Sequence, residues 1–127
     1  MATEILVNDG GAPARILPFT ASGAADTLSG GRLVAIDVGG EVGLAATGAA
    51  NGIGFLFTDT TSGQNCSVIT GKGVVLNVSC TGAVAIGDLL ATNDNGDLLE
   101  NSAATTIYAV AMGALATGVG YVKVITI

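Results

Sequence analysis

Two stretches of this chain repeat one another at a spacing of about 55 residues, and that spacing constrains the fold more than any other feature. Gly31-Arg32-Leu33-Val34-Ala35 corresponds to Gly87-Asp88-Leu89-Leu90-Ala91, and a polar turn follows each, Asp37-Val38-Gly39-Gly40 or Asn93-Asp94-Asn95-Gly96. Both runs then resume as an acid and an aliphatic residue, Glu41-Val42 and Asp97-Leu98. A similar offset relates Ile53-Gly54-Phe55-Leu56-Phe57 to Ile107-Tyr108-Ala109-Val110-Ala111. Small-residue turns at Gly63 and Gly118 follow, and then the strand-like runs 66–70 and 121–127. A weak duplication of one β-unit accounts for the pattern, whereas a solenoid needs more stacked copies.

The local signals inside each copy are β. Asn95-Gly96 between two Leu-rich runs is a strong hairpin signal, because a type I′ turn needs φ > 0 at both central positions. Gly71-Lys72-Gly73 separates 66–70 from 74–80 and predicts a second hairpin. In that second run Val74, Leu76 and Val78 share one strand face and Val75, Asn77 and Ser79 the other, as in a half-buried strand. The run 121–127 alternates as well, with Lys123 on the face of Tyr121 and Ile125. Residues 45–50 read as a short helical turn or a loop. Glycine supplies 20 of the 127 residues, which disfavours long helices because each interior glycine costs backbone entropy. The expected fold is all-β: a small β-barrel or sandwich built from the duplication, with an extended N-terminal arm over 1–11. The remainder, 12–127, is expected to be a single β domain with repeat-like halves at about 31–73 and 87–127. Its expected core is Leu33, Val34, Ile53, Phe55, Phe57, Leu76, Val78, Leu89, Leu90, Val110, Val122 and Val124.

Composition excludes several kinds of chemistry. The chain has no His and no Trp, so Ser-His-Asp and Cys-His catalytic sets and His-bearing zinc sites are out of reach. Four cations, Arg15, Arg32, Lys72 and Lys123, against a net charge of −6 give no basic stripe for nucleic acid. Low charge and a mean hydropathy of +0.67 argue against disorder. No secretory signal is visible in the first residues. The uncharged stretch 101–122 is long enough to span a bilayer, but its glycines, threonines and single leucine suit a buried pair of strands, and no membrane association is expected.

Individual motifs yield to the same β reading. Gly71-Lys72 lacks the glycine and hydroxyl residue of a phosphate loop, since Cys66 and Gly73 occupy those positions. Residues 93–97 resemble part of a calcium loop, yet Ala91 and Ser102 fall where the essential ligands belong. No metal or cofactor is expected. Cys66 and Cys80 lie almost symmetrically about the Gly71–Gly73 turn, so a disulfide across the hairpin is one alternative. Without an export signal, free buried thiols are the other. The ten carboxylates mostly flank turn residues and read as solvated loop charges, which predicts a protein that is not an enzyme. The triplet Ile5-Leu6-Val7, closed by Asp9-Gly10-Gly11, forms either the first strand of the domain or an arm. As an arm, Thr3, Glu4, Ile5, Leu6, Val7 and Asn8 would pair with the strand edge of a partner.

Taken in order, Ile16-Leu17-Pro18-Phe19-Thr20-Ala21, Ser29-Gly30-Gly31-Arg32-Leu33-Val34-Ala35, Gly71-Lys72-Gly73-Val74-Val75-Leu76 and Ala85-Ile86-Gly87-Asp88-Leu89-Leu90 resemble the small capsid cement, or head decoration, proteins of tailed bacteriophages. Tyr108-Ala109-Val110-Ala111-Met112, leading to Val122-Lys123-Val124, completes the pattern, which covers roughly 14–127. The resemblance implies a structural virion protein, made in the host cytoplasm, that binds the exterior of the capsid lattice and stabilises it. Its partner would be the major capsid protein, and its copies would sit on the capsid as a homotrimer; the arm read from residues 3–8 would then pair with the capsid protein or a neighbouring subunit. The alternative class is a glycan- or host-binding β module of a phage or bacterial surface appendage. Its weakness is the small number of aromatic side chains for sugar stacking.

Overall fold

The alternation of apolar runs and glycine turns becomes twelve short strands in a computed structural model, which describes residues 5, 14–22, 27–37 and 39–127. They are β1 (Arg15–Thr20), β2 (Thr27–Leu28), β3 (Leu33–Ile36), β4 (Val42–Leu44), β5 (Gly52–Leu56) and β6 (Thr60–Thr61), then β7 (Asn65–Thr70), β8 (Val75–Thr81), β9 (Leu89–Thr92), β10 (Leu98–Glu100), β11 (Ala109–Ala111) and β12 (Val119–Thr126). The protein is all-β, with one single-turn 3-10 segment at Asp94–Gly96 and no helix long and apolar enough to cross a membrane among the described residues. Residues 45–50 form a turn and loop, and the second part of 101–122 supplies β11 and the start of β12.

Ten of the twelve strands sort into two sets of five, and β2 and β6 pair with each other as a two-stranded sheet. One sheet runs β1-β7-β5-β3-β4; the other, β10-β8-β12-β11-β9, closes into a barrel. Started from β8, the barrel reads β8-β12-β11-β9-β10, which is the order of the first sheet strand for strand. The registers agree too. Val34↔Leu44, Ala35↔Gly43 and Ile36↔Val42 in the first set become Leu90↔Glu100, Ala91↔Leu99 and Thr92↔Leu98 in the second, each partner shifted by 56 positions. The barrel closes through a parallel pairing of Leu98 with Cys80. The first sheet curls until its ends meet at the corresponding place, a parallel bridge between Ala21 and Val42, where Ser22 N also donates to Val42 O at 2.8 Å. The shared unit is therefore longer than the sequence pattern suggests: it takes in β1 and β8, which precede the expected halves 31–73 and 87–127.

Gly71–Gly73 does not form a hairpin. Both glycines have positive φ (127° and 73°), as a turn requires, but β7 pairs with β1 and β5 while β8 pairs with β12 and β10. The turn is the crossover from one set of strands to the other. Asn95-Gly96 does turn the β9–β10 hairpin, with φ of 60° and 74°. The connection spans 93–97 rather than two residues, and it is tied by Asn93 N donating to Asp97 O at 2.6 Å.

Two cores follow from this arrangement. Val34, Val42, Leu56 and Val68 fill the first set, while Leu76, Val78, Leu90, Leu98, Val122 and Val124 fill the barrel. The opposite face of the first sheet presents a row in register, Leu33, Phe55 and Ile69, and that row packs into the barrel's core cluster. The two sets are thus joined through a buried apolar layer. Eight of the twelve expected core residues are buried; Ile53, Phe57, Leu89 and Val110 are half-buried. Strand β8 is buried on both faces, Val75 and Ser79 included, instead of showing a wet side.

Candidate functional site

The expected contact segment, residues 3–8, lies outside the described residues except for Ile5. Ile5 is 6% exposed and belongs to the barrel's core cluster. Its carbonyl oxygen accepts from Asn77 N at 2.7 Å along the edge of β8, and two residues further on Ser79 N donates to Gly31 O at 2.9 Å. At this position the chain is tied to its own barrel.

Cys66 and Cys80 are both free and buried, and no bridge joins them. They occupy different cores, Cys66 that of the first set and Cys80 that of the barrel, because the expected hairpin between them does not form. Burial pushes the Cys80 thiol up to about 12, helped by the nearby charge of Asp97, and burial also raises Cys66. Both thiols stay protonated at neutral pH and are poor nucleophiles.

Polar residues concentrate where the two sets meet. Arg32 donates from Nη1 to Asn95 O at 2.9 Å and lies 3.4 Å from Asp97 Oδ1, which in turn accepts from Ser79 Oγ at 2.5 Å. Tyr121 donates its hydroxyl proton to Gly30 O at 2.7 Å; burial, then the charge of Asp59, raises its phenol. Tyr108 donates to Ala49 O at 2.6 Å and accepts from Gly52 N at 3.0 Å. Each of these groups has its partners within the molecule, so the cluster is a brace between the two sets. Asp37 is likewise occupied: hydrogen bonds from Ser22 Oγ and then Gly39 N hold its carboxyl below the usual range. Among the described residues no three His, Cys, Asp or Glu side chains converge as metal ligands.

Three surface features stand out among the described residues. A groove of about 550 Å³ lies beside β1, lined by Pro18, Phe19, Thr20, Gly40 and Cys66 among others. Another of about 580 Å³ runs between the two sets, with Phe55, Ile69, Ile107 and Tyr108 in its walls and Lys72 among its lining residues. The third is an end of the barrel where Ile86, Met112 and Val119 stand exposed on loops 82–87 and 112–118 and the first residue of β12. Sequence reasoning does not single these residues out. The signal was present in the uncharged stretch 101–122, which holds two of the three.

No family model matches this chain, and no curated protein matches it. Among solved structures, it is similar to the N base of the head fiber protein gp8.5 of bacteriophage phi29, with a TM-score of 0.68. The likeness covers 91% of this chain and 95% of that one at 17% identity. It is a likeness of fold that takes in both sets of strands.

Proposed function

We propose that this chain is a structural protein of a phage virion that binds the exterior of the capsid lattice and stabilises it. The observation that carries the reading is the match to the head fiber base across nearly the whole of both chains. The step from that fold to this chain's role is an analogy. It gains support from a polar inventory spent on internal bracing, with inert thiols and satisfied tyrosines. In this reading the work is done by surfaces, without a catalytic step. The major capsid protein is the partner, and three copies associate on the shell. Stabilisation follows by linkage, because a ligand that binds only the assembled lattice shifts the equilibrium toward it.

Mass spectrometry of purified particles, paired with thermal release of their genome, tests this reading. The expected result is that the chain is a multi-copy component of the particle. Particles lacking it should then release their contents at a lower temperature, and adding the purified chain should restore the higher one. Particles that contain none of it, or whose release temperature ignores it, would contradict the reading.

A further inference from the structure

Because the two sets share one strand order, the outer edge of β1 has a counterpart in the barrel, the outer edge of β8. The bridge between Ala21 and Val42 corresponds to the pairing of Cys80 with Leu98, which puts Pro18 at the place of Asn77 and Thr20 at the place of Ser79. The facing residues agree: Pro18 stands across from Ser67 and Asn77 across from Lys123, 56 positions further on. In the barrel this edge is taken up by main chain. Asn77 N donates to Ile5 O at 2.7 Å, and Ser79 N donates to Gly31 O at 2.9 Å.

In the first set the same edge is open. Ser67 O accepts from Phe57 N at 3.0 Å, on the far side of β7, so Ser67 does not exchange bonds with Pro18. Facing residues of an antiparallel pair exchange both main-chain bonds or neither, in alternation along the strand. The main-chain groups of Ile16, Pro18 and Thr20 therefore point away from β7, out of the sheet. Among the described residues, partners on that side begin only past the end of β1, at Ala21 and Ser22. The strand is exposed from Arg15 to Pro18, with Ile16 at 44% and Leu17 at 37%. An exposed edge with β-prone apolar side chains is a template for another strand.

Proline removes the donor at the centre of this edge. If two β1 strands met antiparallel about a two-fold axis at residue 18, Ile16 would face Thr20 of the other copy, and residue 18 would face itself. Each facing pair would exchange two bonds, and Pro18, which has no N–H, loses both of the central ones. Asn77 shows what an N–H at this place does: it holds the carbonyl oxygen of an incoming segment. We propose that Pro18 keeps the β1 edge closed to strand addition, so that copies of this chain do not join sheet to sheet through it. The role belongs to the free chain and does not depend on the virion reading.

Sedimentation equilibrium of the full chain tests it, run well below the thermal midpoint and with the 12.3 kDa monomer as reference. Pro18→Val supplies the missing N–H. The expected result is association about tenfold or more tighter than that of the unaltered chain, as the regained main-chain hydrogen bonds imply. Adding Thr20→Pro should return association to the level of the unaltered chain, because the N–H of residue 20 also points outward and its loss spares the bonds to β7. The new amide at position 18 should exchange its hydrogen more slowly in concentrated than in dilute solution. Should Pro18→Val fail to fold, Pro18→Ala supplies the same N–H in its place. Variants that associate no more tightly than the unaltered chain would overturn the proposal. So would association that survives Thr20→Pro, or an amide at position 18 that exchanges equally fast at both concentrations.

Discussion

The Tyr121 hydroxyl donates to the Gly30 carbonyl oxygen at 2.7 Å, tying two residues 91 positions apart and joining the closed barrel to the turn before β3. With the buried row of Leu33, Phe55 and Ile69 behind it, this bond joins the two sets of strands. Tyr121→Phe keeps the ring and removes the donor, leaving the Gly30 carbonyl without that partner. We expect a loss of about 1 kcal/mol in chemical denaturation. The transition should stay single, because the apolar layer remains. Two separate transitions in the unaltered chain would show that the sets fold independently.

A stronger test of the packing lies at Gly54, which pairs with Val34 in the centre of the first sheet. A Cβ there would meet the Ile69 carbonyl oxygen at 2.3 Å and Val68 Cγ1 at 2.9 Å, and a backbone atom between paired strands cannot step aside. Gly54→Ala should cost about 3 kcal/mol or prevent folding. At Gly113 the nearest atom would be 3.6 Å away, so Gly113→Ala should change stability by no more than about 0.5 kcal/mol. Equal effects at the two sites would refute the assigned β5–β7 and β3–β5 registers.

Ile5 is packed in the barrel core, so Ile5→Ala should destabilise by about 2–5 kcal/mol, as large-to-small changes in cores do. Urea unfolding measures this directly. A change within about 0.5 kcal/mol, typical of surface sites, would mean that the side chain serves a partner instead.

The buried thiol of Cys80 gives stability a dependence on alkaline pH. Below pH 9.0 the thiol holds its proton in both folded and unfolded chains, and its contribution does not vary. Between 9.0 and about 12 the unfolded thiol ionises while the folded one does not, so the native state binds more protons and stability falls as pH rises. Denaturation midpoints at about pH 8 and about pH 10.5 should therefore differ more in the unaltered chain than in Cys80→Ala. Thiol reagents at pH 8 should label neither cysteine until the chain unfolds. Rapid native labelling would contradict the burial.

The parts of this architecture that are legible in the sequence are those encoded by local grammar. Asn95-Gly96 specifies its turn because two successive positive φ values leave few other residues able to serve. Gly31 and Gly87, and Gly63 and Gly118, repeat with positive φ at corresponding positions. The repeat in β3–β4 and β9–β10 is visible because the paired runs keep their aliphatic character.

The run 74–80 is legible as a strand, but its equivalence to β1 as the first strand of each copy is not. Arg15–Thr20 and Val75–Thr81 share no pattern, since β1 stands exposed at a sheet edge while β8 is buried on both faces. Gly71–Gly73 misleads for a related reason: a glycine turn looks the same whether the strands beside it pair or part. The choice is made by distant partners, Phe19 across from Cys66 and Gly120 across from Cys80. The exposure of Ile86 is equally hidden, because an isoleucine in a glycine-rich loop shows it only when the loop's neighbours are known.

The central claim, that this chain is a structural protein on the outside of a phage capsid, is tested most directly by cryo-electron microscopy of the particle that carries it. The account predicts density for the two joined five-stranded sets outside the shell, contacting the major capsid protein. Copies should cluster around a symmetry axis. A map that places the chain inside the shell, on the tail alone, or nowhere on the particle would contradict it.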